Sequence, residues 1–371
     1  APENPRSVLD VMASSTTRIV SLTVTEKGYC RGEGGTLDRD HPDIVHDLTA
    51  SLPRSAPGFI VRALAERQAL GLPPFTVMSL DNLSQNGVLT RRIVLELAEM
   101  IDPALAEWIA SYGRFPSSMV DRIVPATTPE MIERLRTECA VNDAGAVFHE
   151  PFSQWVIEDS FVAGARPDWD AVGAQLVDDV APFEHMKLRM LNGSHSALAY
   201  IGSLKGYHTV SDAVADPAIA AFLHRMWREE IAPGLQSPPG EDLSRYANTL
   251  MMRYRNPEIQ HSLRQIAMDG SQKLPQRILD PLFENRATGR PYQSLLTVLA
   301  AWIVFLKGCT PDKINDPLAD DIATALADQS ASVARLLDIR PIFGAYLAQD
   351  IAADLDELVR TRGLFRPVAT R

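Results

Sequence analysis

Short apolar runs rich in β-branched residues alternate with helix-like stretches over the first 180 residues. Such runs predict strands, and apolar residues at helical spacing predict helices. Strands are predicted over 18–25, 75–80, 119–124, 154–158 and 173–180, and helices over 58–70 and 88–100. Alternating strands and helices are typical of parallel βαβ units.

Helical periodicity dominates after residue 180, with Pro and Gly at the breaks. Helices are predicted over 181–199, 213–228, 243–254, 295–306, 318–337 and 342–360. The pattern therefore predicts an α/β domain over 1–180 and an all-α domain over 181–371. This layout is common in dehydrogenases, although a fold alone does not establish a function.

The chain lacks the Gly-x-Gly-x-x-Gly turn that places a pyrophosphate at a helix N-terminus. The nearest stretch, 32–35, contains three glycines but precedes no clear helix start. We interpret it as a flexible loop, and the sheet domain as incomplete by the standard of a dinucleotide-binding domain.

Composition narrows the class of ligand. The 371 residues are 46% hydrophobic and carry a net charge of −11, which argues against nucleic acid or an anionic membrane as partner. No apolar run reaches the 18 residues of a membrane span. The three cysteines are far apart and suggest neither disulfides nor a metal site. We expect a cytoplasmic protein that binds a small molecule.

One segment combines the groups needed to move a proton off an alcohol: Glu184, Lys187, Asn192 and His195. On a helix of about 100° per residue these four side chains fall within one half of the surface, together with leucines. A face of this kind suits the wall of a cleft. An ordinary amphipathic helix would show the same spacing, so the pattern alone leaves both interpretations open.

Five segments in this order resemble the mannitol dehydrogenase and fructuronate reductase family of polyol-specific long-chain dehydrogenases. The core of the match is Lys-x4-Asn-x2-His at Lys187, Asn192 and His195. The segments are 17–29, 79–87, 119–123, 150–159 and 184–195. The resemblance implies a Rossmann-type sheet domain followed by a helical domain similar to the C-terminal domain of 6-phosphogluconate dehydrogenase.

The resemblance also implies a metal-independent oxidoreductase that uses NAD or NADP, with NAD favoured, and that works as a monomer. Lys187 would be the general acid/base, and Asn192 and Asn82 would donate hydrogen bonds to the reacting oxygen. His195 would bind another hydroxyl of an extended substrate. Glu184 would pass protons between Lys187 and solvent, although an i, i+3 ion pair explains its position equally well.

Two further residues belong to the matching motifs. Glu26 is placed on the cofactor side together with Asn82, without a defined role. Asp121 matches a residue near the cleft, but a structural Asp–Arg pair with Arg122 is the favoured interpretation.

Segment 261–277, and Gly193 in place of alanine, look closer to fructuronate reductases than to mannitol 2-dehydrogenases. Arg264, Lys273 and Arg277 could bind the carboxylate that a sugar acid has and a hexitol lacks, or they could be helix-end charges. The interconversion of D-mannonate and D-fructuronate is therefore ranked first, mannitol and fructose second, and tagaturonate or arabinitol behind.

The family carries its glycine-rich turn in two to three strand–helix units that this sequence does not contain, so we expect the intact enzyme to have them. Two other classes of function stay open. One is a truncated, non-catalytic remnant that binds a ligand. The other is a dehydrogenase of the same layout that acts on a different hydroxy acid.

Overall fold

The chain divides into two units in a computed structural model, which describes residues 3–361 except 311–312, 328–331, 345 and 347. The side chains of Glu26 and Glu33 also lie outside the described part. Unit 1 comprises 1–122 and 153–184, and unit 2 comprises 123–152 and 185–371. The main division falls close to residue 180. An earlier segment, the excursion 123–152, also belongs to the helical unit.

All five predicted strands form in unit 1. They are β1 Ile19–Leu22, β2 Thr76–Ser79, β3 Ser118–Asp121, β4 Gln154–Glu158 and β5 Gln175–Val177. β1 pairs with β2 in parallel, and β4 pairs with β5 in parallel. β3 and β4 are antiparallel, so the expectation of parallel units is wrong for this pair.

The excursion of the chain explains the antiparallel pair. The chain leaves unit 1 just after Asp121 and returns just before Gln154, and these two residues are partners in the β3–β4 register. Exit and return therefore lie at the same end of the sheet. A parallel pair would need a crossover to the opposite end.

Helices of unit 1 cover the paired strands with apolar faces. Ile60 and Leu64 of one helix and Ile93 and Val94 of another are buried in one cluster with Val77 of β2. Three of these helices, which begin at Pro5, Pro42 and Pro103, start with proline behind a capping side chain, as expected where the first N–H needs no partner. The α-helices of unit 1 that precede β3 are α1 Pro5–Ala13, α2 Pro42–Thr49, α3 Ala56–Ala69, α4 Asn86–Ile101 and α5 Pro103–Tyr112.

Unit 2 is helical, around the central helix α15. The α-helices from α6 onward are α6 Pro129–Cys139, α7 Ala181–Met186 at the junction of the units, α8 Gly193–Ala197, α9 Val210–Ala215, α10 Pro217–Arg225, α11 Leu243–Tyr254, α12 Leu263–Ile266, α13 Gly270–Leu274, α14 Asp280–Ala287, α15 Gln293–Lys307, α16 Ala319–Ala327, α17 Ser332–Leu337, α18 Arg340–Phe343 and α19 Ala352–Thr361. α15 is apolar on all sides and almost wholly buried, which makes it the core of the unit. Within the described residues, no helix is long and apolar enough to span a bilayer.

Predicted helix ends differ from the structure where the chain turns without losing its apolar period. The predicted helix 318–337 consists of α16 and α17, with 328–331 outside the described residues. The predicted helix 342–360 corresponds to α18, a 3-10 turn at Ala348–Ile351 and α19. The predicted helices 181–199 and 213–228 both contain π-helical segments, which a fixed period of 3.6 residues cannot reveal.

A buried ion pair anchors the excursion 123–152 within unit 2. Glu150 accepts hydrogen bonds from Nε and Nη2 of Arg253 at 3.0 and 2.7 Å and from the N–H of Ile123 at 2.6 Å. The guanidinium also lies over the ring of Phe152, 4.0 Å from its centroid. Glu150 and Arg253 are 2% and 7% exposed, so neither charge can be satisfied by solvent.

We predict that Glu150→Gln lowers the free energy of unfolding by about 3–5 kcal/mol, because it removes the carboxylate charge that faces the buried Arg253 guanidinium. Urea denaturation provides the measurement. Glu258→Gln is the matched control, since the exposed pair Arg134–Glu258 links the same excursion to the chain after α11. A loss for Glu150→Gln no larger than for the control would contradict the anchoring role.

Candidate active site

Lys187 and Asn192 are the two ends of a π-helical turn, π1 Lys187–Asn192, between α7 and α8. The N–H of Gly193 bonds to the carbonyl of Leu188, the i→i−5 pattern of a π turn. Both Lys187 and Asn192 are half-buried, between the exposure of a surface and that of a core. The even spacing of 100° assumed for an α-helix is therefore wrong across this turn. Single π turns inside α-helices occur frequently at functional sites.

His195 follows in α8 and is 6% exposed. Its ring packs against Tyr254 and His261, with centroids 5.0 and 5.1 Å apart. Burial lowers the pKa of His195 well below 6.5, and the charges of His261, Arg277, Arg253 and Lys187 act in the same direction. His195 is therefore neutral at physiological pH.

His261 has the same character. Burial, helped by the charge of Lys273, lowers the pKa of His261 to about 4. Nε2 of His195 and Nδ1 of His261 are buried and make no hydrogen bond to any described protein group. Neutral imidazoles can donate through one nitrogen and accept through the other, which suits the hydroxyl groups of a polyol.

Arg277 belongs to a second π turn, Pro275–Leu279, which packs against π1. Pro281 is four residues beyond Arg277, so it offers no N–H to the Arg277 carbonyl and its ring would collide with that carbonyl in an α-helix. The wider π turn avoids this collision. A Cβ atom at Gly193 would lie 3.2 Å from the Arg277 carbonyl oxygen, so glycine permits the close approach of the two turns.

The structure places Lys273 and Arg264 differently from Arg277. The Lys273 ammonium donates to the Met268 carbonyl at 2.6 Å and lies 3.9 Å from a carboxylate oxygen of Asp269. Arg264 is exposed and lines a cavity of about 1090 Å³ in unit 2. That cavity is also lined by Tyr207, His208, Trp302, Phe305, Cys309 and Lys313, and its lining in the described chain includes neither Lys187 nor His195.

Unit 1 contributes a polar edge where β1 and β2 end. The Asp81 carboxylate accepts the N–H groups of Val24 and Thr25, both at 3.0 Å, and the Tyr29 hydroxyl at 2.7 Å. These bonds join the loop after β1 to the loop after β2. Asn82 follows Asp81 in that second loop and is exposed.

Glu184 reaches the same loop within unit 1. Its carboxylate accepts the N–H of Gln85 at 3.0 Å, directly before α4 begins. Glu26 begins a 3-10 turn at Glu26–Tyr29, but its side chain is outside the described residues. Asp121 is 2% exposed in β3.

This edge fits one end of a dinucleotide. Ligands of open α/β sheets bind beyond the carboxyl ends of parallel strands, and β1 and β2 both end here with exposed polar groups. The described residues contain no Gly-x-Gly-x-x-Gly turn for the pyrophosphate. No group of three or more His, Cys, Asp or Glu in the described chain could hold a metal ion.

Sequence reasoning missed Tyr254, His261 and Trp227 as neighbours of the predicted site residues. They lie 59, 66 and 32 residues beyond His195 and follow no motif with it. A weak signal was available, because Tyr254 and Trp227 are aromatic residues that carry a polar group and need a hydrogen-bond partner when buried.

An α/β unit with parallel strands, in the same chain as a helical unit that carries Lys and Asn on one turn and His just beyond it, has the layout of a two-domain dehydrogenase. Residues 1–171 match the model of the mannitol dehydrogenase Rossmann domain, and residues 179–359 match that of the mannitol dehydrogenase C-terminal domain. The chain belongs to the mannitol dehydrogenase family.

Relatives within the family differ in their substrates. D-mannonate oxidoreductase of Escherichia coli (strain K12) is 47% identical over 351 residues, which cover 92% of this chain and 72% of the relative. Mannitol 2-dehydrogenase of Pyricularia oryzae is 40% identical over 94% of this chain and 72% of the relative. The solved ternary complex of Pseudomonas fluorescens mannitol 2-dehydrogenase with NAD and D-mannitol superimposes with a TM-score of 0.85 at 38% identity, over 97% of this chain and 75% of that one.

We predict that the protein loses stability below about pH 6.5, because the unfolded chain binds protons at His195 and His261 that the folded chain does not. Between about pH 6 and 4.5 each histidine contributes a slope of up to about 1.4 kcal/mol per pH unit. Denaturant unfolding across this range measures it. His195→Asn should reduce the slope, and the exposed His208→Asn should not. Equal slopes for all three proteins would contradict the neutral, buried state of His195.

Proposed function

We propose that this protein oxidises a secondary alcohol of an acyclic sugar acid to the ketone, and catalyses the reverse reduction, with D-mannonate and D-fructuronate as the first pair. The observation that carries the proposal is the position of Arg277. The π turn that carries Arg277 packs against the turn Lys187–Asn192, and the Arg277 charge is among those that lower the pKa of the buried His195 just beyond that turn. A cation beside a group that binds hydroxyls suits a substrate with both hydroxyls and a carboxylate.

NAD, when bound, supplies the acceptor for the hydride. The chain's own residues handle the proton and the oxygen. Lys187 takes the proton of the reacting hydroxyl, and Asn192 donates a hydrogen bond to the oxygen as negative charge develops on it. In the reduction the same lysine returns the proton.

The neighbouring residues hold the rest of the substrate. His195 and His261 bind hydroxyls along the carbon chain through their ring nitrogens. Arg277 binds the carboxylate as a bidentate cation. Asn82 and Glu184 belong to unit 1, and their predicted parts in oxygen binding and proton relay remain predictions, as does a carboxylate-binding role for Arg264 and Lys273.

Further expectations about domain roles, cofactor, localisation and partners belong to this proposal. Residues 1–180 serve the cofactor and 181–371 the substrate, NAD is used in preference to NADP, and the protein acts as a cytoplasmic monomer without nucleic acid partners. Its three cysteines are free, as a reducing compartment requires.

Oxidation of mannitol to fructose is the second candidate. It is favoured by the likeness to the solved complex of a mannitol 2-dehydrogenase with NAD and D-mannitol. The two candidates differ only in the group at one end of the substrate, since mannitol has a hydroxymethyl group where mannonate has a carboxylate. A panel of mannonate and mannitol with NAD or NADP, and of their ketones with NADH or NADPH, run on the full-length protein, separates them.

We predict that Lys187→Met lowers kcat by about 10²–10⁴-fold without unfolding the protein, because the change removes the proton acceptor and keeps a similar volume. Steady-state rates and circular dichroism are the measurements. Lys205→Met is the control, since Lys205 is also largely buried and its ammonium lies 2.8 Å from Asp216, outside the turn Lys187–Asn192. Retention of activity within about tenfold of the wild type would remove Lys187 from the mechanism.

We predict that Arg277→Met raises KM for mannonate by about 10–100-fold and leaves KM for mannitol nearly unchanged, because a charged hydrogen bond contributes about 1.5–3 kcal/mol. Arg264→Met provides the comparison, since Arg264 lines the separate cavity. If Arg264→Met shows the larger selective effect, the carboxylate lies there instead of at Arg277.

A further inference from the structure

We infer that Tyr254, together with Ser194 and Trp227, keeps the turn Lys187–Asn192 in its π form and so positions Lys187 and Asn192 for proton transfer. The inference concerns positioning residues and rests on the proposed function. These three side chains do not belong to the Lys-x4-Asn-x2-His motif.

Two carbonyls of this turn, those of Met190 and Leu191, accept hydrogen bonds from side chains. A π turn displaces backbone hydrogen bonds from the i→i+4 ladder, so side-chain donors to its carbonyls can favour this form over an α turn. The Met190 carbonyl accepts the backbone N–H of Gly193 and, in addition, Nε1–H of Trp227 at 3.0 Å and the Ser194 hydroxyl at 2.5 Å. The Leu191 carbonyl accepts the Tyr254 hydroxyl at 3.1 Å and the Ser194 hydroxyl at 3.0 Å.

The three donor side chains also contact one another through Tyr254. The hydroxyls of Ser194 and Tyr254 are 2.7 Å apart, so each can also orient the other. Trp227 and Tyr254 pack with their ring centroids 6.4 Å apart. Trp227 and Tyr254 are 1% exposed and Ser194 is 0% exposed, so solvent cannot replace a lost donor. Hydrogen bonds in such a network depend on one another.

The turn carries two residues that are proposed to act on the reacting group of the substrate. Lys187 and Asn192 are its first and last residues, and His195 follows within one helical turn. If the Leu191 carbonyl loses its tyrosine donor, the π form loses a hydrogen bond that stabilises it, and an α turn becomes relatively more favourable. That change alters the angle between Lys187 and Asn192 around the helix axis. A displacement of about 1 Å from the reacting atoms can reduce a rate by about 100-fold.

Tyr254→Phe isolates this effect. The phenylalanine ring keeps the packing of Tyr254 against His195, 5.0 Å between centroids, and removes only the hydroxyl. Tyr200→Phe is the matched control, because Tyr200 is equally buried in unit 2 and its hydroxyl contacts the Ala267 carbonyl at 3.4 Å, away from the turn. Ser194→Ala removes the second donor of the same carbonyl and serves as an independent variant should Tyr254→Phe fold poorly.

The experiment measures kcat, KM, the pH profile of kcat and the deuterium isotope effect on kcat with C–H-labelled substrate for the four proteins. For Tyr254→Phe and Ser194→Ala we expect kcat to fall about 10–100-fold, KM to change less than threefold, the pH profile to shift and the isotope effect to rise. Tyr200→Phe should match the wild type in all four. A fall in thermal stability for Tyr254→Phe with wild-type kcat and pH profile would overturn the inference.

Crystal structures of the wild type and Tyr254→Phe keep this inference separate from the proposed function. A turn that becomes α-helical in the variant supports the inference even if the wild type oxidises none of the proposed substrates. A π turn unchanged in the variant overturns it, whatever the activity. Absence of NAD-linked turnover by the wild type with every substrate of the panel counts against the proposed function alone.

Discussion

Satisfaction of backbone carbonyls in a dry interior is the constraint on which the functional half of this protein depends. A wide helical turn puts Lys187 and Asn192 at its two ends, and we infer that side-chain donors to its carbonyls stabilise it. Trp227 and Tyr254 come from other helical segments of unit 2 to provide them. The core of the unit and the geometry of the site are therefore coupled through the same hydrogen bonds.

A buried ion pair and a neutral histidine belong to the same helical unit as that turn. The Arg253 guanidinium is neutralised by Glu150, and this pair fastens the excursion 123–152 to α11, the helix that ends in Tyr254. One helix thus holds both a structural ion pair and a donor to the π turn. His195, desolvated and close to cations, stays neutral, which leaves its ring able to bind hydroxyls without adding charge.

In unit 1, hydrogen bonds to polar side chains likewise join separate segments of the chain. A single carboxylate, Asp81, gathers backbone N–H groups and a tyrosine hydroxyl and so joins the ends of two parallel strands. Nearby, Asn86 bonds to the carbonyls of Ser79 and Ser118 and accepts the N–H of Ser118, which ties β2 to the start of β3. Buried polar groups therefore hold together the segments next to the exposed residue Asn82.

Much of this was readable from the chain. The five strands follow from short β-branched runs, because pairing in a sheet rewards the same local pattern wherever it occurs. The layout of a sheet part followed by a helical part, the membership of the mannitol dehydrogenase family, and the importance of the segment 184–195 also followed from local patterns and motifs. These features depend on residues that are close in sequence or on types of residue that occur together.

Other features were decided only by tertiary structure. The antiparallel pairing of β3 with β4 depends on where the chain re-enters the sheet after residue 152, and no period records that. By our inference, the π form of Lys187–Asn192 depends on donors 35 and 62 residues beyond its end, at Trp227 and Tyr254. The different surroundings of Arg277 and Arg264 depend on Pro281 and on the close approach at Gly193. The sequence determined which groups are available for chemistry, and the tertiary structure decided their spacing, because hydrogen bonds and steric contacts between distant segments set the shape of the turn that carries them.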